Sequence, residues 1–196
     1  VTGEHGCAHE QIGVHRRKIV DGIVRMAPEP TIQIDDRVRV VQLRAGNRVV
    51  ATLVHHACHP TTTGENLISS DYPGALARRC DATHGGTTLV LQGCAGDVRP
   101  ALVTAGGAFR LGQESDVDVV SERLLAAVER ALLASAPLTP VPLHITASKI
   151  GLTLESGTRV PLSMVSLTVA QNLHIIGLAC EPVGRYQAAA PEAWVL

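Results

Sequence analysis

Short apolar, β-branched runs alternate along this chain with polar or glycine-bearing segments. Residues 38–43 and 49–54 are two such runs, and the polar spacer between them predicts a β-hairpin. The other runs that predict strands are residues 87–91, 143–150, 162–169 and 173–179.

Two segments carry the periodicity and the end signals of helices. Ser70 or Asp71 can cap a short helix that runs through Ala82, and Gly85-Gly86 comes just past its end. Residues 115–132 repeat apolar side chains at helical spacing, and Ser115 with Asp118 predicts a capping box. The irregular mixture of strands and helices predicts an α/β or α+β fold, with a mixed β-sheet and flanking helices.

Composition narrows the classes of function. With 45% hydrophobic and 18% charged residues among 196, the chain has enough apolar material for a core. Its 17 basic and 18 acidic residues nearly cancel, so no strong positive potential favours binding of nucleic acid. Aromatic residues make up 2% of the chain, too few for stacking on bases. No apolar run reaches the roughly 18 residues of a bilayer span, and the first residues do not resemble a signal peptide. We therefore expect no nucleic-acid partner and no transmembrane segment, and the compartment is left open.

Five cysteines without a Cys-x-x-Cys pair argue against a disulfide framework and against a thiolate zinc site. Free cysteine is usually buried, since it behaves as a small apolar residue. We therefore expect most of the five to be free and buried.

Polar residues gather where three predicted strands end: residues 55–62, residues 92–100 and Cys180-Glu181-Pro182. Strand ends are where α/β folds usually place their sites. Pro60 fixes the chain direction just after His59, which makes His59 the best-presented imidazole of the first cluster. Imidazole nitrogen and carboxylate oxygen are ordinary zinc ligands, so one His and one Glu from different strand ends can share a metal.

Simpler roles are open for each of these residues taken alone. An isolated histidine is more often a packing residue, Asp71 suits a helix cap, and Glu181 can pair with Arg185. His5 and His9 also have a metal-like spacing, but they lie in a glycine-bearing terminus that favours mobility. Spacing by itself leaves all these alternatives open.

Four blocks of sequence follow one another in an order and at intervals typical of one enzyme family. They are Val14-His15-Arg16-Arg17, the stretch His56-Ala57-Cys58-His59-Pro60-Thr61-Thr62 with residues 66–74, the loop Gln92-Gly93-Cys94-Ala95-Gly96-Asp97-Val98-Arg99-Pro100, and Gly177-Leu178-Ala179-Cys180-Glu181-Pro182. Together they resemble the neutral/alkaline non-lysosomal ceramidase family over residues 12–187. The resemblance implies that residues 1–196 are part of a single ceramidase-like catalytic domain that continues beyond both ends.

That family uses zinc to hydrolyse the amide bond of ceramide, giving a sphingoid base and a fatty acid. The resemblance implies one Zn²⁺ held by His59 and Glu181, and a lipid amide as substrate. It implies catalytic positions at Arg16, Gly93 and Asp97. It also implies that Asp71 supports the metal ligands without itself contacting the metal. Zinc supplies such a reaction with metal-activated water and a polarised amide carbonyl.

The chain departs from the family pattern at Gly93, where ceramidases carry a serine, so a serine nucleophile is absent. The family's other zinc ligands, a His in an upstream stretch and a Tyr in a downstream one, have no counterpart here. With two ligands, the chain alone is expected to bind zinc weakly and to be inactive. The alternative function is a noncatalytic scaffold or binding domain that keeps the fold without a complete metal site.

The zinc hypothesis also makes structural predictions. The side chains of His59 and Glu181 must converge, and we expect their strands to lie in one sheet with the Gly93 loop at the same rim. Without metal, Glu181 should have water or arginine partners, and His59 should hydrogen-bond a carboxylate such as Asp71 or Asp97.

Overall fold

The computed structural model describes residues 1–64, 66 and 68–196, so Leu67 of the block 66–74 lies outside the described residues. The described helices are α1 (Asp71–His84), α2 (Glu114–Leu133) and α3 (Gly184–Ala189). The described strands are β1 (Thr2–His9), β2 (Gly13–His15), β3 (Arg17–Val20), β4 (Ile23–Met26), β5 (Arg37–Ala45), β6 (Arg48–His56), β7 (Thr87–Gln92), β8 (Val98–Pro100), β9 (Ala136–Pro137), β10 (Pro140–Thr153), β11 (Arg159–Ala170), β12 (Leu173–Leu178) and β13 (Ala193–Val195).

A five-stranded sheet with the order β7-β6-β5-β1-β9 is the central layer of the fold. Strands β5 and β6 form the predicted antiparallel hairpin, and β6 pairs with β7 in parallel. A four-stranded sheet has the order β10-β11-β12-β13, and its last pair is parallel. The predicted α/β or α+β class with mixed sheets and flanking helices is confirmed.

Alternation along β5 explains why both faces of the central sheet are covered, because successive side chains of a strand point to opposite faces. Val38 and Val40 belong to the core that the sheet forms with α1 and α2. Val41 belongs to a second core that includes Ile175 of β12 and Trp194 of β13. The layers are therefore helices, central sheet and second sheet.

Both long helices form where the sequence predicts them, with small shifts at their ends. Helix α1 extends to His84, and Gly85 follows with a φ of 74°, a left-handed conformation that glycine adopts without strain. At the start of α2, Asp116 accepts a 2.8 Å hydrogen bond from the backbone N–H of Gln113. The predicted pairing of Ser115 with Asp118 is therefore wrong, because the capping contact lies two residues earlier.

The first strand was not predicted, because its glycines indicate a flexible terminus. Strand β1 instead lies inside the central sheet, between β5 and β9. A Cβ on Gly6 would stand 1.9 Å from the carbonyl oxygen of Ala131, so glycine is what allows α2 to pack directly on this strand.

Candidate active site

Three of the predicted site residues meet at one point. The Nε2 atom of His59 contacts Oε1 of Glu181 directly. The Nη2 atom of Arg16 lies 3.3 Å from both of these atoms. The predicted convergence of His59 and Glu181 is confirmed, and so is an arginine partner for Glu181.

The strands that lead to these two residues lie in different sheets, so that part of the prediction is wrong. His59 follows β6 of the central sheet, and Glu181 follows β12 of the second sheet. The two sheets are packed face to face, which brings both strand ends to one rim. The loop after β7 is at the same rim, since the N–H of Gly93 donates to the carbonyl of His56 at 2.9 Å.

The backbone around His59 is held by buried groups. The carbonyl of Cys58 accepts hydrogen bonds from the hydroxyl of Tyr72 and from Nε2 of Gln92. The N–H of His59 donates to the carbonyl of Val98 at 3.2 Å. These hydrogen bonds fix the backbone position from which the His59 side chain extends. The buried Nδ1 of the His59 ring has no hydrogen-bond partner among the described residues.

Tyr72 holds the backbone next to His59, a contact that the sequence pattern did not indicate. It is fully buried, and its hydroxyl reaches the residue just before His59. The residue itself could have been noted, because the chain has only two tyrosines and this one lies in the ceramidase-like block 66–74.

Arg16 is anchored independently of the other two residues. The carbonyl of Gly96 accepts hydrogen bonds from its Nε at 3.3 Å and its Nη2 at 3.0 Å. Arg17 donates to the same carbonyl at 3.0 Å. The Arg16 side chain is 14% exposed and that of Glu181 58%, so the guanidinium lies beneath a carboxylate that faces solvent. A planar guanidinium placed in this way can bind a carboxyl or hydroxyl group of a ligand.

Asp97 ties two loops of the rim together. Its Oδ1 accepts the N–H of Gly184 at 3.0 Å, and its Oδ2 lies 3.5 Å from Nε2 of His15. Its backbone carbonyl accepts the N–H of Arg16 at 2.8 Å. The carboxylate thus borders the cluster and holds the segment after Glu181.

Asp71 holds the loop that follows His59. Its carboxylate accepts backbone N–H groups of Thr62 at 2.8 Å, Thr63 at 3.0 Å and Tyr72 at 2.7 Å. The expected hydrogen bond from His59 to Asp71 or Asp97 does not form in the described structure, because the His59 ring contacts Glu181 instead.

Gly93 lies against a buried imidazole. A Cβ at this position would stand 2.9 Å from Nε2 of His55. The ring of His55 is held at 3.1 Å by both Arg39 and the carbonyl of Val195, and it stacks on Trp194 with centroids 5.4 Å apart. His55 therefore fills the space that a side chain at position 93 would need.

Gly93→Ser is expected to lower the free energy of unfolding by about 1–3 kcal/mol, the usual cost of overpacking a core. The restrained His55 ring has to move to admit the new Cβ. Urea unfolding would measure the loss, with Gly106→Ser as control because its Cβ would meet only Thr104 Oγ1, at 3.8 Å. Equal and small losses in both variants would contradict this account of Gly93.

The donor atoms present fit two positions of a zinc site. His59 and Glu181 bring one nitrogen and one oxygen together, both of them ordinary zinc ligand atoms, and the two side chains would have to separate slightly to admit an ion between them. No group of three or more His, Cys, Asp or Glu side chains is placed to hold a metal within residues 1–64, 66 and 68–196. His5 contacts Asn172 and His9 contacts Asp36, so both have other partners.

The cysteines take no part in this arrangement. All five are free, and Cys58, Cys80 and Cys94 are buried, in agreement with the prediction for most of them. Burial raises the pKa of the Cys94 thiol to about 11, which keeps it protonated and unreactive near neutral pH.

A cleft of about 620 Å³ lies on the far side of Asp97 from the cluster, and none of His59, Glu181 and Arg16 lines it. Asp97 and Gly184, which hold the segment after Glu181, line one part of it. Ile32 and Ile34 are apolar parts of its wall, whereas half of the lining residues are ionisable: His9, His15, Asp35, Asp36, Arg37, Asp97 and Arg185. The cleft can therefore take an amphipathic molecule beside the candidate site.

Solved structures share this architecture. Neutral ceramidase from Pseudomonas aeruginosa matches 90% of this chain with a TM-score of 0.65 and 12% sequence identity. A structure of ceramidase complexed with C2 matches the same share with a TM-score of 0.66 and 12% identity. The chain has a ceramidase-like fold. At this identity the likeness establishes the fold, and it confirms the resemblance seen in the four sequence blocks.

The ceramidase-like fold accounts for nearly all of this chain but for less than half of each ceramidase. The matched region covers 39% of the Pseudomonas protein and 41% of the second structure. No protein-family model and no curated protein sequence matches the chain. In the described structure, no helix combines the length and apolarity needed to cross a bilayer.

Proposed function

We propose that this chain carries part of the active centre of a zinc-dependent hydrolase that cleaves lipid amides. The direct contact between His59 and Glu181 supports the proposal, because the packing of two different sheets brings together two side chains of the types that bind zinc. The ceramidase-like fold supports it, since the two solved structures described above are ceramidases.

Different residues at the rim would bind the metal and the substrate. His59 and Glu181 would hold zinc, with a further ligand from outside the described cluster. The bound ion would supply activated water and polarise the amide carbonyl. Arg16 would bind the polar head group of the substrate, and the cleft beside Asp97 would hold another polar part of an amphipathic molecule. Gly93 offers no hydroxyl, so this centre has no serine nucleophile at that position.

A second candidate is a noncatalytic binding domain with the same fold. Two observations favour it: the guanidinium of Arg16 lies where it would repel a metal cation, and His55 fills the space beside Gly93. In that case the Arg16 cluster would bind an anionic or hydroxylated ligand without turnover.

One assay separates the two candidates. The full-length protein would be given a short-chain N-acylsphingosine in detergent micelles, with zinc or with a chelator, and released fatty acid would be measured. The hydrolase proposal predicts release that requires zinc. Binding of the amide lipid without release under either condition would refute it and support the binding domain.

Arg16→Gln is expected to raise zinc affinity by about tenfold, because it removes a positive charge 3.3 Å from both donor atoms. The same change should raise KM for the amide substrate, since a head-group contact is lost. Arg17→Gln is the matched control, because Arg17 donates to the same Gly96 carbonyl but makes no described hydrogen bond to His59 or Glu181. Unchanged or weaker zinc binding by Arg16→Gln would show that Arg16 does not oppose a cation there.

A further inference from the structure

The β3–β4 hairpin exposes large apolar side chains to solvent. Ile19, Val24 and Met26 are 70%, 60% and 64% exposed, and Ile23 is 53% exposed. Among the described strands, β3 and β4 pair only with each other, through a tight turn in which both central residues, Asp21 and Gly22, have positive φ. Such a hairpin is marginal in water by itself, so a surface that covers it would stabilise it.

The apolar side chains lie on both faces of the hairpin. Ile19 pairs with Val24 on one face, and Val20 pairs with Ile23 on the other. A flat protein surface would cover only one face of a two-stranded ribbon. Immersion in the interfacial region of a bilayer covers both faces at once, as it does for other amphipathic segments.

The charges on the hairpin complement an anionic surface. Lys18 and Arg25 stand directly opposite each other, and like charges in that position destabilise a pair of strands. Lys18 Nζ lies 3.8 Å from Glu29, whereas Arg25 has no ion pair or side-chain hydrogen bond within the described residues. Anionic lipid headgroups would relieve this repulsion, and the only acidic residue of the ribbon is Asp21 in the turn.

We propose that the β3–β4 hairpin docks on an anionic lipid surface. Ile19, Val20, Ile23 and Val24 enter the interfacial region, and Lys18 and Arg25 lie at the depth of the headgroups. The hairpin begins immediately after Arg16, so docking holds the His59–Glu181 cluster next to the lipid. The docking surface stands independently of the hydrolase proposal, because it requires no amide lipid and no metal.

Vesicle sedimentation tests this surface without involving catalysis. The full-length protein would be mixed with vesicles of phosphatidylcholine alone or with added phosphatidylglycerol, free of any amide lipid. Binding is expected to be stronger with phosphatidylglycerol, because cations near a membrane surface are attracted to anionic lipids.

Three hairpin variants have distinct expected effects on partition to phosphatidylglycerol vesicles. Ile19→Ser with Val24→Ser should weaken it at least about tenfold, through loss of buried apolar area. Lys18→Gln with Arg25→Gln should weaken it about 30-fold and remove the preference for phosphatidylglycerol. Asp21→Asn keeps a turn-forming residue and should strengthen it about fivefold.

The control is Val119→Ser with Leu133→Ser, which removes two exposed apolar side chains from α2. It should bind vesicles like the unmodified chain. Equal binding by the serine hairpin variant and this control would overturn the proposal. So would a hairpin-dependent dimer in sedimentation velocity without vesicle binding, since the hairpin would then be a protein contact.

Discussion

Replacing His59 with alanine, or Glu181 with glutamine, in the full-length protein is expected to lower zinc affinity by at least about 100-fold. Loss of residues that only support a metal ligand commonly costs 10- to 100-fold, so loss of a ligand itself should cost at least about as much. Release of fatty acid from a lipid amide should fall to background in both variants. Zinc titration followed by isothermal calorimetry would measure the affinity.

Matched controls make this result specific. His144→Ala and Glu155→Gln remove the same residue types from the exposed β10–β11 hairpin. Glu181 is mostly exposed, and exposed ion pairs contribute about 0–1 kcal/mol, so Glu181→Gln should leave the fold intact. Unchanged zinc affinity in the site variants, or an equal loss in the controls, would contradict the assignment of His59 and Glu181 as ligands.

The stability of the protein is expected to fall as pH drops from about 6.5 to about 4, with His55 as a main cause. Burial lowers the pKa of His55 from 6.5 to about 4. Between these values the unfolded chain binds a proton that the folded chain does not, so acid favours unfolding. A pKa difference of this size corresponds to about 3 kcal/mol of stability, present above pH 6.5 and lost toward pH 4.

Comparison of His55→Asn with the unmodified chain isolates this contribution. Burial also lowers the pKa of His56, so both histidines make the unmodified chain less stable as the pH falls. Urea midpoints from pH 7 to pH 4.5 should fall less steeply in His55→Asn than in the unmodified chain, and His144→Asn should keep the original slope. Equal slopes in all three proteins would mean that His55 is not responsible.

Elements with regular patterns could be predicted from the sequence. The β5–β6 hairpin and both long helices follow from runs of β-branched residues and from apolar residues at helical spacing. His59 and Glu181 could be predicted as candidates, because each is a ligand-type residue just after a strand. Their contact could not be predicted in detail, because the sequence does not show how two sheets pack against each other. For that reason the two strands were expected in a single sheet.

Other features depend on contacts between distant parts of the chain. The role of Gly6 becomes clear only once α2 packs on β1, since glycine alone indicates flexibility as readily as close approach. Likewise, His55 belongs to a strand pattern, but its contact with Trp194 joins β6 to β13. No local spacing could place that ring beside Gly93, so the sequence could not explain why a glycine suits this position.

The central claim is that His59 and Glu181 share one metal ion. A crystal structure of the zinc-loaded protein, with anomalous data at the zinc edge, tests it most directly. We predict a single strong peak about 2.0–2.2 Å from Nε2 of His59 and from a carboxylate oxygen of Glu181, with the guanidinium of Arg16 moved aside. A peak at another pair, such as His9 with Asp36 or His15 with Asp97, and none between His59 and Glu181 would contradict the claim.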